Sequence, residues 1–255
     1  MQPGFQLLNQ YYDHIYVLTL ERAKERQQKI AESLNGLHFQ FWMGKDKAAF
    51  DVPALEQQGI YNETAARKIH RYNKPMTPGQ IGCSWSHRCM YEDIIQKGYQ
   101  RVLIFEDDAL PSTEALVNTE QVLNELPSDA ELLFWGYGDQ YPPGSFSRFK
   151  QMAYHLQHAL GLLKWNHKMI ANLYPQPFSE HLYTAGFHDY TYAYGLTRAG
   201  AEKLLKLQTP IQYIADNLLA WACTNGWVEG YTCRQKVFLH DELPNGKPRD
   251  SFING

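Results

Sequence analysis

The stretch "VLIFEDDAL" (102–110) runs four apolar residues directly into three carboxylates. An apolar run bounded in this way reads as a buried strand, with Glu106, Asp107 and Asp108 at its carboxyl end. Side chains alternate along a strand, so Glu106 and Asp108 point to one side and Asp107 to the other. Two hard oxygen ligands on one side suit a divalent cation that also holds phosphate oxygens, Mn²⁺ or Mg²⁺, as in nucleotide-using enzymes. The same residues also read as a solvated acidic turn, so the chemistry needs companions.

Candidate companions lie on both sides of that strand. Ser86 and His87 fall in a helical segment just before it, with Gly82 one turn earlier, so this helix face is expected to pass close to a ligand at the carboxylates. A histidine among aromatics reads as well as a hydrogen-bonded core residue. Asp216, in "PIQYIADNLLAW", stands at the expected start of a short helix, where aspartate caps well. It is also a carboxylate able to take a proton from a hydroxyl.

The elements that must hold these groups follow from local pattern. "HIYVLTL" (14–20) predicts a strand, and the polar helix after it closes at Gly36. "LHFQFW" (37–42) alternates as a second strand, and 44–75 carries no clear period. Thr77 and Pro78 suit the cap and first position of a helix that stops at Gly98 and feeds "RVLIF" directly. A helix over 113–126 and a buried strand over 131–138 follow. Beyond them come a strand at 190–196, helices at 197–207 and 214–226, and a late strand in "WVEGYTC". Alternation of strand and helix predicts an α/β fold with a mainly parallel central sheet. Ligands of such sheets bind off the carboxyl ends of the strands, where the acidic triplet lies.

Composition narrows the function. The 255 residues suit one large domain, read as a first half (1–139), an inserted basic helical or lid region (140–189) and a last part (190–255). With 24 basic against 27 acidic residues, the chain is not expected to bind nucleic acid by bulk charge. Four cysteines without a C-x-x-C pair, and no apolar leader before the first strand, point to a reduced, cytoplasmic setting. No run of 18 apolar residues occurs, so any membrane contact is expected to be peripheral. From Gln140 to Ser179 there is no Asp or Glu, while Arg148, Lys150, Lys164, Lys168 and three histidines occur among aromatics. That stretch reads as a solvated helix pair or as a face for an anionic acceptor or lipid headgroups at the inner face of the inner membrane.

The stretches "IYVLTLERAKERQQKI", "TPGQIGCSWSHRCMYEDI", "VLIFEDDA", "YTYAYGLTRAGAEKLL", "PIQYIADNLL" and the tail "DSFING" occur in an order that resembles glycosyltransferase family 25, the bacterial lipopolysaccharide-type sugar transferases related to collagen galactosyltransferases. The resemblance implies a GT-A fold, in which a Rossmann-like nucleotide-binding half merges with an acceptor-binding half. It also implies a metal-dependent, inverting transfer of a hexose, galactose being the expected one, from a UDP-sugar to a saccharide or glycolipid acceptor. The family's acidic motif corresponds to Glu106, Asp107 and Asp108, with Glu106 standing where the D-x-D pattern has its first Asp. Asp108 is thereby the expected direct metal ligand, while Glu106 reaches one methylene further and fits a ribose or a metal-bound water as well. His240, in "VFLHDE", matches the late histidine that such enzymes add to the metal, and reads also as a surface or packed histidine. Asp216 is the implied general base. Thr19, Arg26, Gly82, Ser86, His87, Asp107 and Tyr194 fall where the family approaches its donor, whereas Arg22 reads as an ordinary helix-face charge. Two other readings keep the same fold: a catalytically silent sugar- or nucleotide-binding protein, and a metal-dependent nucleotide-sugar hydrolase.

Overall fold

The computed structural model describes residues 2–70, 72–138, 144 and 146–241. Its strands are β1 (His14–Thr19), β2 (Gln40–Met43), β3 (Arg101–Glu106), β4 (Ala109–Pro111), β5 (Leu132–Tyr137), β6 (Gln176–Pro177), β7 (Leu182–Thr184), β8 (Thr191–Thr197), β9 (Gly230–Cys233) and β10 (Phe238–His240). The α-helices are α1 (Pro3–Tyr11), α2 (Lys24–Ser33), α3 (Val52–Gln57), α4 (Glu63–Ile69), α5 (Pro78–Lys97), α6 (Thr113–Leu116), α7 (Thr119–Glu125), α8 (Ser147–Ala159), α9 (His167–Ala171), α10 (Arg198–Leu207) and α11 (Ala215–Thr224). The expected 113–126 helix is thus two short ones, and α1 lies where no helix was read. The "DSFING" tail lies outside the described residues.

Eight strands form one sheet in the order β2-β1-β3-β8-β5-β9-β7-β6. β1 pairs in parallel with β2 and β3, and β5 with β9, but β8 runs antiparallel between β3 and β5, and β7 antiparallel to β9 and β6. The expectation of a mainly parallel sheet is corrected: the sheet is mixed. β8 comes from the 190–255 segment and sits between two strands of the first half, so the two segments share one sheet rather than two cores. The 140–189 segment is not purely helical either, because β6 and β7 extend the sheet edge.

The central strands are apolar throughout because both of their faces are covered. On β3, Val102 and Ile104 face a core built with Met90 and Ile94 of α5 and Leu204 of α10, while Leu103 and Phe105 face a second core with Leu8 of α1 and Ile30 of α2. β5 alternates in the same way, Phe134 to the first core and Trp135 to the second. This sandwiching leaves the carboxyl end of β3 as the place where the chain must leave the core.

α5 is fixed at both ends by its own sequence. The Thr77 side chain accepts from the Gln80 amide and the Gln80 side chain accepts from the Thr77 amide, a reciprocal cap in which the capping side chain stabilises by about 1 kcal/mol. Gly98 ends the helix at φ +76°, a conformation that costs glycine little. After the acidic triplet, β4 pairs with β10 as a separate antiparallel ladder, with His240 opposite Ala109. Lys29 of α2 pairs with Asp241, and the Asp241 amide donates to the Asp108 carbonyl at 2.8 Å, so the end of β10 is tied beside the triplet.

Candidate functional site

Glu106 is the last residue of β3, and Asp107 and Asp108 form the turn into β4. Asp107 points back to the first strand, where Thr19 Oγ1 donates to its Oδ2 at 2.6 Å. Arg26 of α2 reaches both turn carboxylates, lying 3.1 Å from Asp107 Oδ1 and pairing directly with Asp108 Oδ2. His240 Nε2 lies 3.5 Å from the same Asp108 oxygen. Asp107 is held by Thr19 of β1 and Asp108 faces His240 of β10, but Arg26 of α2 bridges the two, so the turn does not separate them as strand alternation would.

The electrostatics separate the three acids. Burial pushes Glu106 well above the usual carboxylate range, and the charges of Asp216, Asp108 and Asp107 push it further. Burial likewise raises Asp107 to about 6, against the opposing pull of Arg26 and the Thr19 hydrogen bond. Burial acts the same way on Asp108, but the hydrogen bond with His240 and the Arg26 charge outweigh it and hold this carboxyl below its ordinary value. Asp108 is the most readily ionised of the three.

Asp108 offers a place for positive charge. Asp108 Oδ1 is buried with no hydrogen-bond partner, and an orphaned carboxylate oxygen is costly unless something positive meets it. The Asp108 carboxylate and the His240 imidazole are donors of the type Mn²⁺ or Mg²⁺ accepts, but as the side chains stand Glu106 does not converge with them: among the described residues no group of three ligand atoms within 4.8 Å of one another contains Asp108 or His240. Glu106 falls in a different grouping: ligand atoms of Cys83, His87 and Glu106 lie within 4.8 Å of one another. The sequence reading passed over Cys83 because a lone cysteine carries no spacing signal. Only the packing of α5 against β3 brings it to the site.

The remaining expected donor residues divide into two groups. Thr19, Arg26 and Ser86 line one pocket together with Lys45, Glu106 and Asp108. Ser86 Oγ donates to the Gly82 carbonyl at 2.7 Å and accepts from the Lys45 amide at 2.8 Å, so it holds the loop after β2 against α5. A Cβ on Gly82 would stand 2.4 Å from the Lys45 carbonyl oxygen, and that close approach is why glycine is needed there. His87 and Tyr194 do not line the pocket. They are 3% and 2% exposed, with His87 Nδ1 2.7 Å from the Tyr194 hydroxyl, and burial lowers the imidazole to about 4. Both sit behind the carboxylates rather than on the pocket wall. Lys45 and Asp46 belong to a segment that showed no pattern, and Arg22, read as a surface charge, bonds Asp46 at 2.5 Å along the pocket wall.

Asp216 is not the cap of its helix. Ile214 holds the cap position and Asp216 lies in the first turn, half-buried. Burial together with the charges of Asp189 and Asp108 raises its carboxyl to about 7. Asp189 lines a second, larger cleft of about 690 Å³, whose walls include Tyr154, Trp165, Phe187 and Trp221. Asp216 thus feels Asp108 of the acidic pocket and Asp189 of the cleft, while its own side chain lines neither. Aromatic walls of this kind offer flat apolar faces to the C–H faces of sugars, with polar groups at the rim for hydroxyls.

The sequence profile of glycosyltransferase family 25 (LPS biosynthesis protein) matches residues 12–219, which takes in the acidic triplet, α5 and Asp216. The chain belongs to glycosyltransferase family 25. Among its relatives are the probable inactive glycosyltransferase 25 family member 3 of Bos taurus, 27% identical over 202 residues (77% of this chain, 29% of the relative), and a glycosyltransferase 25 family member of Drosophila pseudoobscura pseudoobscura, 31% identical over 133 residues (49% and 20%). Procollagen galactosyltransferase 2 of Homo sapiens is 25% identical over 99 residues (38% and 16%). This family 25 chain spans less than a third of the length of each of these relatives.

Proposed function

We propose that this chain is an active, metal-dependent hexosyltransferase of GT-A type that moves galactose from a UDP-sugar to a saccharide acceptor of lipopolysaccharide type, with inversion. The observation that carries this reading is the gathering of Thr19, Arg26, Lys45 and the acidic triplet in one pocket off the carboxyl end of β3, with the raised carboxyl of Asp216 near enough to feel the charge of Asp108. The pocket with Arg26, Lys45 and the acidic triplet suits the diphosphate of a donor, and the cleft suits an acceptor sugar. A carboxyl near 7 is matched to general-base work at neutral pH.

Asp108, with His240, would hold Mn²⁺, or Mg²⁺ in its place, which supplies positive charge against the diphosphate leaving group. The protein's own residues do the rest. Arg26 and Thr19 fix the turn so that Asp108 stays ionised, and Lys45 adds a cation at the pocket wall. The aromatic cleft orients one acceptor hydroxyl, Asp216 removes its proton, and the oxygen forms its bond to the anomeric carbon as the bond from that carbon to the diphosphate oxygen breaks. One displacement inverts that carbon.

The relatives named inactive make a silent binding protein the alternative reading. The presence of Glu106, Asp108 and Asp216 together favours turnover, since a protein that only binds needs no carboxyl raised to about 7 beside its acidic site. The test is to incubate the protein with a panel of sugar nucleotides, Mn²⁺ and saccharide acceptors. Acceptor-dependent release of UDP supports the transferase; release without acceptor marks a hydrolase, and donor binding with no release marks a silent protein.

A further inference from the structure

α8 is built inside out. Its Ser147, Gln151 and Tyr154 side faces the protein: Ser147 is buried, Gln151 donates to the Ile170 carbonyl at 2.8 Å, and the Tyr154 ring meets Trp165 at 5.7 Å. The opposite side carries Phe149, Met152 and Leu156, and Leu160 continues the same line just past the helix end. These four residues are between 62% and 70% exposed. Spacings of three and four place them on one stripe, and Phe146 and Leu162, at 77% and 75%, extend it at both ends. In an ordinary surface helix the apolar stripe faces the core; here it faces outward.

The charge around this stripe is of one sign. Arg148 and Lys150 are exposed on its two flanks, and 140–179 contains no carboxylate side chain, although Lys164 on the adjoining segment is turned inward to the Arg67 and His70 carbonyls and Asn73 Oδ1. A helix with an outward apolar stripe between cations has the pattern of one that lies in a membrane interface, with its apolar side chains among the acyl chains and its cations at anionic headgroups. No helix among the described residues is long and apolar enough to cross a membrane, so the contact is one of lying on the surface.

We propose that α8 docks this protein on an anionic lipid bilayer through Phe149, Met152, Leu156 and Leu160. The inner flank of the same helix, with Ser147, Lys150 and Tyr154, lines the aromatic cleft. Docking therefore brings that cleft to the bilayer surface, where a sugar carried on a lipid is presented. This last step rests on the acceptor reading given above; the docking itself does not.

The test is co-sedimentation with vesicles of phosphatidylethanolamine and phosphatidylglycerol, compared with vesicles of phosphatidylcholine alone. The wild-type chain is expected to pellet with the anionic vesicles and to be released as salt is raised. Met152→Glu/Leu156→Glu, at two exposed positions, should bind at least about tenfold more weakly, with unchanged circular dichroism and melting temperature showing that it folds. Equal binding by wild type and this variant, or no binding to anionic vesicles, overturns the proposal. So does light scattering that shows the stripe buried in a dimer of this chain, broken by the same substitutions. Vesicle binding needs no turnover, so its failure would leave the transferase reading standing.

Discussion

His240 Nε2 lies 3.5 Å from Asp108 Oδ2, across the ladder that pairs β10 with β4. Two residues far apart in sequence thus form one side of the acidic site, and each makes a different demand on it. Asp108→Asn removes the ionised ligand at nearly constant volume and leaves Arg26 its contact with Asp107. Transfer should fall by at least about a hundredfold with little change in melting temperature. His240→Ala removes one neutral ligand that water can replace. It should raise the Mn²⁺ needed for half-maximal rate by about 10- to 100-fold while leaving the rate at saturating Mn²⁺ closer to normal. A metal titration of both variants decides it: activity of Asp108→Asn near wild type at limiting Mn²⁺ removes Asp108 from the site, and an unmoved curve removes His240.

Asp216→Asn separates a structural from a chemical role. Because Ile214 is the cap residue, no capping bond is lost, and a raised carboxyl is replaced by a neutral group. Melting temperature and donor affinity should hold, while transfer slows by about 10² to 10⁴ as expected for loss of a general base. Normal turnover would shift attention to Asp189, the other acid beside the cleft.

The pH dependence of stability has a defined sign. His87 and His188 are lowered by burial to about 4 and about 3, so stability gained from keeping them neutral grows with pH only up to their ordinary value of 6.5. Asp216, raised to about 7, and Glu106, raised well above its ordinary value, bind more protons folded than unfolded, so they remove stability as pH rises. Above pH 6.5 only the acids act. In metal-free buffer the melting temperature should fall between pH 6.5 and about 8, and Mn²⁺ should restore more of it at the upper end. A flat or rising curve over that window would contradict the raised carboxyls.

Gly82→Ala probes the wall of the pocket. Its Cβ would meet the Lys45 carbonyl at 2.4 Å, and the contact is backbone, so the loop after β2 must move. The cost should be about 1–3 kcal/mol, or about 2–4 °C in melting temperature per kcal/mol. Donor affinity should fall as well, since Lys45 and Ser86 shift with the loop. Calorimetry and a donor titration on one preparation read both effects.

Much of the scaffold is local and so was legible. Thr77, Pro78 and Gly98 mark α5 because caps and left-handed stops depend on a few neighbouring residues, and the apolar run before Glu106 marks β3 because a strand covered on both faces must be apolar throughout. The acidic triplet stands out by its place at the end of an apolar run, whereas Asp216 is singled out only by the family resemblance. Which strand lies beside which was not legible, since periodicity reports how a strand is buried and not its partner; hence the antiparallel β8 between β3 and β5. The approach of His240 to Asp108, the joining of Cys83 and Lys45 to the site, and the retreat of His87 and Tyr194 behind it all depend on contacts distant in sequence. So does the raised carboxyl of Asp216, because desolvation and neighbouring charge exist only once the chain has brought Asp189 and Asp108 around it. The amphipathic stripe of α8 is written in the sequence, but only the tertiary structure turned it outward, by giving the opposite face to Trp165 and the Ile170 carbonyl.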